Sequence, residues 1–62
     1  PIIKPHIYRA LVLGRARCLL TLGRAREAAE ALRTGAAQTP SQEDRREFLL
    51  MRQRILDAAG SR

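Results

Sequence analysis

Two breaks decide what this chain can fold into. Gly23 closes one run of helix-compatible residues, and Thr39-Pro40-Ser41 closes another. Gly just past a helix end and Pro shortly beyond one are stop signals, because Gly reaches left-handed backbone angles and Pro has no N–H to donate. The 62 residues are thereby cut into three stretches, each long enough for a helix and none alternating as a strand does. The expected fold class is all-α, an antiparallel helical hairpin followed by a third helix. The helices should run over about 5–22, 24–37 and 41–59. Residues 1–6 read as an extended lead-in, in which Pro5 restricts Lys4 and suits a helix's first turn, and 60–62 as a frayed tail. Thr39, or Ser41 with Asp44 three residues on, can cap the third helix.

Helical phase sorts the side chains. At about 100° per residue, Tyr8, Leu11, Val12, Leu19 and Leu22 share one face of the first helix, a core stripe. The opposite face holds Ala10, Leu13, Gly14, Leu20 and Thr21 around Arg17. A helix apolar nearly all round is covered on both sides, and so short a chain cannot cover both. Either the extra leucines are ordinary exposed apolar residues, or Leu13, Arg17 and Leu20 face another chain or a further part of this one. In the second helix Ala25, Ala28, Ala29, Leu32 and Ala36 make a small-residue face suited to close packing, while Arg26 and Glu30 can pair four apart. The third helix aligns Phe48, Met51, Ile55, Leu56 and Ala59. Arg52 lies on that side, either snorkelling or meeting an acidic partner, and Leu50 points the other way.

Composition narrows the chemistry. Twelve basic residues face six acidic ones, a net charge of +6. Lys4, Arg9, Arg15, Arg17, Arg24 and Arg26 precede the first acid, Glu27, and beyond it the charges cancel. One Cys closes no internal disulfide, and one Cys with one His builds no zinc site from nitrogen and sulfur ligands. No apolar run approaches a membrane span, and no Gly-rich phosphate loop is present. His6 has no carboxylate near it in sequence, Cys18 reads as a buried inert thiol, and Glu27 and Glu30 read as a solvated pair. The expectation is a non-enzyme without metal or cofactor.

Around Gly23 the residues resemble a tetratricopeptide repeat, a helix–turn–helix unit of about 34 residues. The likeness rests on Val12, Ala16 and Leu19 in the first helix and on Leu22-Gly23-Arg24-Ala25-Arg26-Glu27-Ala28, similar to the family's Leu-Gly-x-x-x-x-Ala turn. It continues through Leu32 to Pro40. Gly35 stands where the family usually has Ala, and Arg15 where it usually has Leu. The unit would span 7–40, with 41–59 a poorly matching helix read as a cap. Leu-Gly-Arg-Ala-Arg occurs at both 13–17 and 22–26, a spacing that fits no solenoid and reads as chance.

The resemblance implies a protein–protein interaction module of an α-solenoid, whose units bury their faces only when about three or more stack. The chain is then expected to be a piece of a longer array or one member of a complex. Its first helix would line a groove for an acidic or amphipathic protein segment. Ala10, Leu13 and Leu20 would give apolar contact, Arg17 would meet a carboxylate, and Arg9 and Arg24 would assist from the rim. The Lys and Asn residues with which some members hold chaperone tails have no counterpart, as the chain has no Asn and only Lys4. The alternative is a basic helical module on RNA or DNA phosphates, although only Tyr8 and Phe48 could stack on bases. A third reading takes the acid-free first 26 residues as an organelle-targeting segment. An intracellular setting, cytoplasmic or nuclear with mitochondria left open, fits the lone cysteine.

Overall fold

The computed structural model describes residues 5–60 as three α-helices, α1 (Pro5–Thr21), α2 (Ala25–Gln38) and α3 (Gln42–Gly60), with no strand among them. The class is all-α. Helix α1 starts at Pro5, so Pro5 and His6 belong to it rather than to an extended lead-in. Gly60 ends α3 rather than opening a tail. The remainder of the expected lead-in and tail lies outside the described residues.

Both breaks act through identifiable hydrogen bonds. Gly23 takes φ 78°, the left-handed region in which a side chain is costly. The Arg24 N–H reaches back to the Leu19 carbonyl at 2.8 Å and the Gly23 N–H to that of Leu20 at 3.0 Å. These two bonds form a Schellman closure of α1. At the second break Ser41 Oγ accepts the Asp44 N–H at 3.2 Å, and Thr39 Oγ1 accepts the Ser41 N–H at 3.3 Å. Arg45 then folds back onto α2, Nε donating to the Ala36 carbonyl at 3.0 Å and Nη2 to that of Thr39 at 3.1 Å. A cation thus sits on carbonyls that the end of α2 cannot pair internally.

Helix α2 packs against both α1 and α3. Its small-residue face is buried as expected at Ala28, Ala29, Leu32 and Ala36, with Ala25 half-buried. The core joins these to Val12 and Ala16 of α1 and Phe48 of α3, with Leu32 and Phe48 wholly enclosed. A Cβ built on Gly35 would lie 2.7 Å from Val12 Cγ1 and 2.8 Å from Cγ2. The absent side chain is what lets α1 approach α2 this closely. The Tyr8 hydroxyl donates to the Gly35 carbonyl at 3.3 Å, with Gln38 Oε1 at 3.4 Å as its other acceptor.

The phase of α1 follows expectation at Tyr8, Val12 and Leu19, which lie in or on the core, and departs from it at other positions. Leu11 and Leu22, assigned to the core stripe, are 58% and 67% exposed, so Leu22 is a turn residue and not a packing position. Leu13, assigned to the partner face, is instead half-buried against the core. Arg9, one turn before Leu13 on the same side of α1, bonds Asp44 and Glu47 of α3, so the buried arc of α1 includes the side toward α3. Cys18 falls outside that arc and is exposed, not buried. In α3, Met51 and Ile55 pack on the core as expected, Leu56 is half-buried and Ala59 is exposed. Leu49 and Leu50 are 43% and 53% exposed, Leu50 among exposed Glu43, Arg46, Gln53, Arg54 and Asp57 on the polar side expected for it.

Candidate binding surface

The acid-free start of the sequence is where unspent charge should collect. One of its arginines is spent at once. Arg9 forks onto Glu47, Nη1 to Oε1 at 2.5 Å and Nη2 to Oε2 at 2.7 Å, and its Nη1 also reaches Asp44 Oδ1 at 3.1 Å. Arg9 is therefore an internal strut from α1 to α3 and not a rim residue for a partner. Its hydrogen bonds to Glu47 hold that carboxyl below the usual range, and the same contacts keep the guanidinium more firmly protonated. On α2, Arg24 lies 3.7 Å from Glu27 and Arg33 lies 3.5 Å from Glu30. The expected Arg26–Glu30 pair is thus replaced by Glu30 turning to Arg33.

Arg15, Arg17 and Arg26 form no ion pair among the described residues and are exposed. Arg17 lies with exposed Ala10 and Leu20 on the expected partner face, Leu20 at 42% exposure. With Leu13 turned inward, Arg9 spent and Arg24 beside Glu27, half of that expected set is otherwise engaged. Arg52 is half-buried, without a carboxylate partner, and its Nε lacks an acceptor among the described residues.

A groove of about 570 Å³ opens on the other side of α1, between it and α2. Leu11, Arg15 and half-buried Leu19 line it from α1, and Arg26 and Ala31 from α2, with Tyr8 and Gln38 at the end away from the turn. The groove is hidden in the sequence because Leu11 falls in phase with the core stripe there. The available signal was Arg15, a charge on the same side of the helix as Leu11 and Leu19.

Among the described residues no cluster of His, Cys, Asp or Glu could hold a metal ion, and no helix is long and apolar enough to cross a membrane. His6 is exposed at the start of α1. Comparison with protein-family models, curated proteins and solved structures found no match to this chain.

Proposed function

We propose that this chain is a non-enzymatic interaction module of tetratricopeptide type that holds an acidic, amphipathic segment of another protein. The observation that carries the reading is the company kept by its unspent charge. Arg15, Arg17 and Arg26 have no ion-pair partner among the described residues and stand beside the exposed or half-buried leucines Leu11, Leu19 and Leu20. Cations interleaved with apolar surface match a ligand that carries both carboxylates and leucine-like side chains. The Gly23 closure, the small face of α2 and the close approach of Val12 to Gly35 support the repeat-like hairpin beneath that surface.

The nucleic-acid alternative weakens at the aromatics. Phe48 is fully enclosed, so of the two aromatic residues in the chain Tyr8 alone has any surface for stacking. The test compares an acidic amphipathic peptide of about 15 residues (three to four helical turns) with an RNA oligonucleotide. Reversing Arg15, Arg17 and Arg26 together to Glu should weaken peptide binding by at least about tenfold, with unchanged helicity. Tighter binding to RNA, with affinity falling steeply between about 50 and 200 mM salt, would replace the proposal with the alternative.

A further inference from the structure

On that reading of the chain as an interaction module, the geometry points to one seat and one shape of partner. We infer that the α1–α2 groove takes an acidic amphipathic α-helix of another protein, its carboxylates meeting Arg15 and Arg26 and its apolar stripe lying on Leu11 and Leu19. Three observations on the groove converge on this occupant.

The first is the nature of the walls. Both are α-helices, whose interior N–H and C=O groups are already paired with each other. An extended peptide laid between them would find no backbone partners and would leave its own polar groups unpaired as water is expelled. A helix satisfies its own backbone and needs only side-chain contact, which is how ridges settle into the valley between two helices. From Tyr8 to Leu19 the groove follows α1 for about three turns at 1.5 Å per residue. Ala31 supplies a small residue on its α2 wall.

The second is charge. Glu27 and Glu30 also line the groove, but they stand against Arg24 and Arg33, so those four cancel. What is left over is Arg15 midway along α1 and Arg26 at the start of α2, toward the turn. A partner helix with carboxylates placed to match meets both, and Arg is the side chain best suited to hold a carboxylate with two hydrogen bonds.

The third argues against a second copy as occupant. Each chain carries +6, so two copies meet with like charge at a surface that already has cations to spare.

The probe is a labelled helix-forming peptide of about 15 residues with a leucine stripe and flanking glutamates. It is compared with the same peptide carrying Gln for Glu, and with one broken by a central proline. Fluorescence anisotropy should show Arg15→Glu and Arg26→Glu each weakening binding by about tenfold. Leu11→Ala should weaken it several-fold, Arg54→Glu on the exposed side of α3 should change it less than about twofold, and the Gln and proline peptides should bind at least about tenfold more weakly. Dependence on Arg17 with indifference to Arg15 and Arg26 would overturn the groove while leaving the module intact. Equal binding of the Gln or proline peptide would also overturn the groove assignment. Failure of every peptide to bind, or dimerisation of the chain through this face in sedimentation, would overturn the inference, and the absence of all peptide binding would take the module reading with it.

Discussion

Arg9 and Glu47 are joined by two parallel hydrogen bonds that tie the second turn of α1 to the second turn of α3. Among the described residues the other side-chain hydrogen bond between α1 and α3 is that of the same guanidinium to Asp44. The bidentate form restricts relative rotation of the two helices as well as their separation. Both side chains retain solvent access, 36% for Arg9 and 43% for Glu47, so screening by water and salt limits what the pair contributes.

The first prediction follows from the lowered Glu47 pKa. A carboxyl that ionises more readily in the folded state adds stability above its unfolded pKa, about 4.3 for Glu, and loses it as pH falls through the lower folded value. Wild type should therefore melt at a higher temperature than Glu47→Gln near neutral pH. The gap should shrink as the pH falls below about 4. A gap that stays constant down to pH of about 2 would show that the difference is packing and not the ion pair.

Gly35 and Val12 make a second testable pair. In an exposed helix interior Gly→Ala gains about 0.8–1 kcal/mol. Here the new Cβ would fall 2.7 Å from Val12 Cγ1, and a branched side chain held between two helices has little room to give. Overpacking of this kind costs about 1–3 kcal/mol, so Gly35→Ala should be destabilising on balance. Val12→Ala removes both close Cγ atoms and should restore the benefit of alanine. Urea melts of the double-mutant cycle should give a favourable coupling of at least about 1 kcal/mol. Additive effects would mean that the two backbones are not in close contact.

Arg45 is predicted to stabilise the break between α2 and α3. Its two bonds to the Ala36 and Thr39 carbonyls join residues nine and six apart, so they fix the exit of α2 and the entry of α3 together. Arg45→Met keeps most of the stem and loses the donors. The expected loss is about 1 kcal/mol, below the range of about 1.5–3 kcal/mol for hydrogen bonds to charged groups, because water can replace part of the contact at this exposed side chain. Hydrogen exchange should quicken at the last turn of α2. Arg45→Lys should restore the charge at the helix end but not both bonds.

These residues mark where sequence is informative and where it is not. Gly23 and Ser41 were legible because a turn is closed by neighbours only a few positions away. The face of α2 was legible because alanine, wherever it repeats at helical spacing, invites close packing. The phase of α1 was legible only in part. Leu11, Leu13, Leu19 and Leu22 are chemically alike, and which of them is covered depends on where α3 comes to rest. That position is set by Phe48 in the core and by Arg9 with Glu47, contacts that span more than thirty residues. The Arg45 cap and the choice of Glu30 for Arg33 are likewise tertiary or rotameric outcomes. The candidate groove inherits this limit, since it becomes visible only once Leu11 is known to lie outside the core.

The repeated pentapeptide offers the sharpest contrast between local sequence and context. Leu13–Arg17 lies within α1, whereas Leu22–Arg26 crosses from one helix to the next, although both read Leu-Gly-Arg-Ala-Arg. Gly14 has ordinary backbone angles and nothing within 4 Å of a built Cβ. Gly23 also has open space there but takes φ 78°. Space is therefore not what separates them; backbone conformation is. Gly14→Ala should stabilise the chain by about 0.8–1 kcal/mol through helix propensity. Gly23→Ala should destabilise it by about 1–2 kcal/mol, the cost of placing a Cβ in the left-handed region. Urea denaturation followed by circular dichroism reads both. Equal effects of the same sign would mean that residues 13–17 and 22–26 share one conformation, and the hairpin built on the second of them would have to be abandoned.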